Sequence, residues 1–296
     1  MTDSISVFLP DALAPLDRLA GLRPLRGEGC YLGTLGGLRI IQGVQGVFVR
    51  GSLPKYLNGE NALPLTRQAV RAALGKLETE SGMDLKIGRV YQLETACTLP
   101  VNDPPREYLA AWGPLARFKK STHGNGDTVT LANGGRSFSG YDKGEEMAPE
   151  ALPCPLAGLY ALRLESCWKR GLKRLYGRLL NPWEASEPEA YGQAVRAWAA
   201  FYFKIPKRRE VCLSMDGMTP KGFERTLAAL GLQSLGLDRA QEIIRDGLAS
   251  GALDRVKASR MRALFRELAK DERITNTDPL TAEIDEKVRA VARFAR

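Results

Sequence analysis

The placing of glycine constrains this chain more than any other feature. Up to about residue 165, short runs of β-branched and aromatic residues are separated by glycine turns; after about residue 180, β-branched residues thin out and alanine, leucine and arginine dominate. The first pattern is that of strands joined by tight turns, the second that of helices. With 296 residues, 44% of them hydrophobic, the chain has apolar material for one large domain or two medium ones. The expected fold is α+β. A mostly antiparallel sheet with packed helices should occupy residues 1–180, and an all-helical region residues 181–296. The junction is placed at Asn181-Pro182, because a residue before proline is driven out of helical geometry.

Expected strands cover 44–49, 87–98, 128–131, 136–141 and 159–165, with Asn133-Gly134-Gly135 as a hairpin turn between the third and fourth. Helical spacing appears over Pro64 to Glu80, with Thr66 as N-cap and Val70, Ala73, Leu74 and Leu77 on one face. It recurs over Pro105 to Phe118, with Tyr108, Leu109 and Trp112 together. Beyond the junction, helices are expected at 187–203, at 220–229 with Gly231 as terminator, and at 238–249, 253–270 and 281–295.

Lysine and arginine total 43 against 34 acidic residues, a net charge of +9 that suits a polyanionic partner or an ordinary basic surface. No apolar run reaches the ~18–20 residues of a membrane span. The segment Met1 to Leu16 carries Asp3 and Asp11 where a signal peptide would carry lysine or arginine, so no membrane association and a cytoplasmic location are expected. Cys30, Cys97, Cys154, Cys167 and Cys212 are odd in number and never spaced C-x-x-C, which favours buried free thiols. A single histidine, His123, rules out any site built from paired imidazoles. A metal here would be held mainly by oxygen, as Mg²⁺ or Mn²⁺ are.

The segment Phe138-Ser139-Gly140-Tyr141-Asp142-Lys143-Gly144-Glu145-Glu146, followed by Leu159-Tyr160-Ala161-Leu162-Arg163-Leu164-Glu165, places a phenol, a cation and carboxylates on two strand-like segments. These are the parts needed to break a phosphodiester by covalent attack. Along a strand, residues two apart share a face, so Lys143 is expected beside Tyr141, lowering a phenol pKa that is ordinarily near 10 or holding the phosphate. Alternatively both lie on the solvent face of an edge strand. Glu94 and Glu165 sit in apolar runs, where an ionised carboxylate must meet a cation. That cation is either a shared divalent ion or Arg89 and Arg163. Glu146 falls at a turn or helix start, and His123 either completes a metal shell or is merely exposed. Lys169, Arg170, Lys173 and Arg174 cluster within one or two helical turns, either as phosphate contacts beside the site or as a solvated face. A second basic cluster, Lys204 to Arg209, lies beside Phe201, Tyr202 and Phe203. Thr219 to Leu230 with Asp238 to Ala249 reads as a helix-turn-helix or as an ordinary helix pair.

Several of these segments, in order, resemble the filamentous-phage gene II/X replication initiators and the phage and plasmid initiators related to them. The likeness covers roughly residues 40–180. Gly51-Ser52-Leu53-Pro54-Lys55-Tyr56 is similar to that family's G-S-L-x-K-Y segment, and Arg89 to Glu94 to its R-V-x-R-[IL]-D strand. Thr128 to Leu131, Tyr141 to Glu146 and Arg163-Leu164-Glu165 resemble its T-[VL]-x-[LW], Y-x-K-x-x-E and R-x-E elements. The resemblance implies a Rep nuclease-like fold and an origin-specific nickase and ligase of rolling-circle replication in a bacterial host cell. It implies Tyr141 as nucleophile, Lys143 as its companion, and Glu94, Glu146 and Glu165 as ligands of Mg²⁺ or Mn²⁺. Glu94 departs from the family's usual aspartate. Lys55 and Arg136 join the basic run as DNA-binding candidates. The implied partners are single-stranded and origin DNA and the host helicase and polymerase. A relaxase of a mobilisable element would share this site, and a non-catalytic DNA-binding regulator would share the fold.

Overall fold

The computed structural model describes residues 1–25, 29–148, 156, 160–207, 209–211, 219–268 and 275–294. Leu159, Arg208, Lys270, Ala295 and two of the cysteines, Cys154 and Cys212, lie outside the described residues.

Ten strands form one antiparallel sheet: β1 (Thr2–Pro10), β2 (Ala20–Pro24), β3 (Tyr31–Leu35), β4 (Leu38–Gly43), β5 (Gly46–Ser52), β6 (Arg89–Val101), β7 (Lys119–His123), β8 (Thr128–Ala132), β9 (Arg136–Asp142) and β10 (Tyr160–Trp168). Their order is β2-β3-β4-β5-β1-β6-β10-β9-β8-β7. The helices are α1 (Leu53–Asn58), α2 (Arg67–Ser81), α3 (Pro105–Ala110), α4 (Lys143–Met147), α5 (Leu172–Tyr176), α6 (Pro182–Ala185), α7 (Pro188–Lys204), α8 (Pro220–Leu235), α9 (Leu237–Ala249), α10 (Arg255–Leu268) and α11 (Pro279–Phe294). The α+β class with a helical C-terminal region is therefore as expected.

Glycine punctuation gives no sign of β1, which runs through the middle of the sheet between β5 and β6. Its signal is alternation: Ile5, Val7 and Leu9 are buried, while Ser4, Ser6 and Phe8 are only partly so. The same parity governs β6. Leu93, Thr95, Cys97, Leu99 and Val101 are buried on the side that carries the helices, and Gln92, Glu94, Ala96 and Thr98 belong to the other face.

Two apolar clusters fill the helix-covered side. Ile5, Val7, Val47 and Val49 pack against Leu53 and Tyr56 of α1 and Val70, Leu74 and Leu77 of α2, whose N-cap Thr66 accepts from Ala69 N at 3.2 Å. Leu99, Phe138, Leu162 and Leu164 pack against Trp112, Trp198, Tyr202, Ile284 and Val288. Each such fully buried side chain contributes ~1.5–3 kcal/mol. Trp198 Nε1 also donates to Leu164 O at 3.1 Å, and Tyr202 donates to Asp285 at 2.9 Å. The composition shift at Asn181-Pro182 consequently does not end a packing unit, because α7 and α11 share the core of the sheet. Asn181 itself caps α6. A separate small core of Ala229, Leu232, Ala240 and Leu268 joins α8, α9 and α10, which lie in sequence between two short paired strands, β11 (Arg209–Val211) and β12 (Thr275–Thr277).

Some expected boundaries differ. The helix from Pro105 stops at Ala110, ahead of Gly113-Pro114, although Trp112 is still buried. Val44 lies in the turn between β4 and β5 and not in a strand. Gly231 lies inside α8, whose end is set by Gly236 at φ 79°.

Candidate active site

Asp3, Glu94, Glu165 and Tyr141 come from four neighbouring strands, β1, β6, β10 and β9. On the face away from the helices, Glu94 pairs with Cys167, Ala96 with Glu165 and Thr98 with Arg163, and Arg163 in turn pairs with Tyr141. Asp3 reaches this face by a bulge. Thr2 pairs with Thr95 and Ile5 with Leu93, so three steps along β1 match two along β6. The extra residue inverts the alternation and turns Asp3 away from the side that buries Ile5. One carboxylate oxygen from each of Asp3, Glu94 and Glu165 falls within 4.8 Å of the other two.

Arg163 is the cation at the centre, 0% exposed. Its Nε donates to Glu165 Oε1 at 2.7 Å, its Nη1 donates to Asn61 O at 2.7 Å and Thr98 Oγ1 at 3.1 Å, and its Nη2 lies 2.9 Å from Asp3 Oδ1 as an ion pair without hydrogen-bond alignment. Burial opposes the guanidinium charge, but Asp3 and Glu165 more than offset it and hold Arg163 cationic. One cation does not balance three carboxylates. Burial, then the charges of Glu165 and Asp3 and a hydrogen bond to Asp3, push Glu94 up to about 8. Burial and Glu94 push the Cys167 thiol up to about 12, against the nearby cations Lys169 and Arg50.

Tyr141 Oη donates to Glu165 Oε1 at 2.7 Å. Its pKa is raised well above the phenol range by burial and Glu165, with Arg163 pulling the other way. The expectation that Lys143 lowers it is corrected. Asp142 ends β9 by accepting from Gly144 N at 2.8 Å and Glu145 N at 3.2 Å, so Lys143 opens α4 and does not continue the strand. Lys143 is 1% exposed, and its Nζ is ion-paired with Glu146 and donates to Asn61 Oδ1 at 2.8 Å. Glu146 is thereby engaged by Lys143, and the third member of the acidic group is Asp3.

His123 is exposed on β7, in the row His123–Thr128–Tyr141, two strands and therefore about 10 Å from Tyr141. The basic run divides. Lys169 lies close enough to Cys167 to act on it, on the carboxylate face. Lys173 and Arg174 are exposed on α5, which Leu172, Leu175 and Tyr176 anchor in the helix-side core. Arg170 is exposed, and its backbone N donates to Gly135 O at 2.9 Å. Arg136 belongs to the helix side, 5.1 to 5.3 Å from the rings of Phe118, Trp168 and Phe201; burial and Arg174 lower its pKa. Lys55 is exposed on α1. In the second cluster, Lys207 Nζ sits 3.9 Å over the ring of Tyr202 and 3.6 Å from Asp285, which makes it a packing contact.

Asp3, Asn61 and the counter-ion role of Arg163 are the parts of the site that sequence reading missed or left open. The R-x-E spacing does put Arg163 and Glu165 on one face, whereas nothing in the sequence marks the bulge that delivers Asp3. No helix among the described residues is long and apolar enough to cross a membrane. No family model and no curated protein matches the chain.

Proposed function

We propose that this protein is a rolling-circle replication initiator that nicks an origin strand by attack of Tyr141, forming a 5′-phosphotyrosine and freeing a 3′-hydroxyl, and later rejoins the strand. The observation that carries the reading is the 2.7 Å bond from Tyr141 Oη to Glu165, a member of a three-carboxylate group. The donor set suits a hard divalent cation such as Mg²⁺ or Mn²⁺: three carboxylates come together, and Glu94 is driven towards its neutral form by burial and by its two acidic neighbours.

Asp3, Glu94 and Glu165 would hold the ion. With Oε1 of Glu165 already bonded to Tyr141 and Arg163, Oε2 is the oxygen left for it. The ion would supply charge neutralisation at the phosphate oxygens and the departing 3′ oxygen. Glu165 accepts the phenol proton as Tyr141 Oη bonds to phosphorus. The P–O3′ bond breaks, and the 3′ oxygen takes a proton to leave as hydroxyl. Arg163 fixes the Glu165 carboxylate, and Lys143 with Asn61 braces the Arg163 guanidinium from the far side.

The test is covalent capture. A pool of 3′-labelled single-stranded oligonucleotides with random sequence is incubated with the full chain and Mn²⁺, then resolved under denaturing conditions. Label should migrate with the protein, and Tyr141→Phe should abolish the adduct while leaving the fold intact. An adduct that persists in Tyr141→Phe would move the nucleophile to another tyrosine, such as Tyr160 or Tyr176. An adduct formed equally in excess EDTA would remove the metal.

A further inference from the structure

Three aromatic side chains lie on the carboxylate face where alternation in a half-covered sheet calls for polar residues. Phe8 of β1 pairs with Phe48 of β5, with ring centroids 4.6 Å apart, and the Tyr91 ring stands 6.4 Å from Phe8 at an interplanar angle of 67°. Phe48 is 43% and Tyr91 44% exposed. Tyr91 is brought to this face by a second bulge: Ser6 pairs with Gln92 and Val7 with Val90, one step on β1 against two on β6. Around the rings stand Arg89, paired with Phe8, and Arg50 and Arg39, paired with each other in the next row; all three are exposed. None of them is ion-paired to an acid among the described residues. From this patch to Glu94 is three residues of strand, roughly 10 Å. Arg50, opposite Ser6, lies one row nearer the carboxylate group than Phe48 does.

We propose that Phe8, Phe48 and Tyr91, with Arg39, Arg50 and Arg89, form a platform for single-stranded DNA, on which bases stack against the rings while the arginines take the phosphates. Exposed rings interleaved with unpaired cations match both parts of such a strand, whose bases are apolar on their faces and whose backbone is anionic. A duplex presents its phosphates but hides its base faces, so it satisfies only the arginines. An acidic protein surface would also meet the arginines, but the place of the patch on the sheet face that carries Tyr141 favours a nucleic-acid strand. The platform deepens the nicking proposal, since it would hold the strand on the sheet face that carries Tyr141, and it moves the main DNA contact away from α5.

The experiment separates the two claims. Anisotropy of a fluorescein-labelled single-stranded 20-mer is measured in EDTA, where no cleavage occurs, for the full chain and for Phe48→Ala with Tyr91→Ala, two side chains exposed enough to leave the fold unchanged by circular dichroism. Loss of stacking should weaken binding by roughly five- to a hundredfold per ring. Arg50→Gln with Arg89→Gln should flatten the slope of log affinity against log salt by about 1.4. Duplex affinity should fall far less in the ring variant. Single-strand affinity within twofold of wild type in the folded ring variant, or an equal loss for duplex, would overturn the platform even if Tyr141 captures DNA. A weakened single strand with no covalent adduct in any condition would keep the platform and remove the nicking step.

Discussion

Replacing Arg163 by methionine removes the cation on which the carboxylate group depends. The side chain has no exposed surface, and it faces Asp3 at 2.9 Å and Glu165 at 2.7 Å while donating to Asn61 O and Thr98 Oγ1. Removing one partner from a buried ion pair costs about 3–5 kcal/mol, and the acceptors left without a donor bring the expected loss to about 4–6 kcal/mol. Against a total stability of ~5–15 kcal/mol this is severe, a fall in Tm of roughly 10–20 °C. The loss must grow with pH. Arg163 pulls the raised Glu94 pKa down, so without the guanidinium that value rises further above its unfolded one, the folded chain holds a proton that the unfolded chain releases over a wider interval, and stability falls as pH rises across it. Urea unfolding followed by tryptophan fluorescence at pH 5.5 and pH 8 measures both effects. Arg163→Lys, which keeps the charge without the fork, should lose about half as much. A loss below about 1 kcal/mol at both pH values would show that Arg163 is not the counter-ion of this group.

Glu94→Gln should flatten part of the pH dependence of the metal-free protein. With a folded pKa near 8 against an ordinary value of 4.5, wild-type stability declines as pH rises across that interval and levels off above it, so the variant should gain on wild type by a few kcal/mol at pH 8.5 relative to pH 4.5. Equal unfolding midpoints relative to wild type at both pH values would refute the raised pKa. Gly140→Ala should cost roughly 1–3 kcal/mol, since a Cβ there would meet Leu109 Cδ2 at 2.4 Å and Trp112 Cη2 at 2.8 Å; thermal melts with and without Leu109→Ala should show the second change relieving the first. A fragment ending at Leu180 lacks Trp198, Tyr202, Ile284 and Val288 from the core of the sheet. It should be insoluble or lack cooperative unfolding, and a soluble fragment with a sharp melt would restore the junction at Asn181-Pro182.

The readable parts of the fold were those written in short-range chemistry. Asn133-Gly134-Gly135 marks its hairpin, Thr66 caps α2, and the alternation in 159–165 marks the strand that carries Arg163 and Glu165. Tyr141 and Glu165 meet because those strands pair, which their sequence proximity suggests. Asp3 was hidden because its bulge reverses the parity that Ile5, Val7 and Leu9 announce. Lys143 was misplaced through trust in strand parity past Asp142, although an aspartate followed by Gly144, Glu145 and Glu146 is itself a helix-start signal. The basic run divides for a tertiary reason: Leu172 draws α5 into the helix-side core, which carries Lys173 and Arg174 with it and away from Lys169.

The central position of β1 has a temporal consequence. Asp3 is made well before its strand neighbours around residues 52 and 94, and before the helix carrying Val288, which covers the same sheet. At ~5–20 residues per second, synthesis of the interval from Asp3 to Val288 takes roughly 15–60 s. The edges of β1 find their partners once residues near 94 have been made, but for the whole of that time part of the apolar side of the sheet waits for α11. The nascent chain therefore depends on protection from association until α11 docks on the sheet.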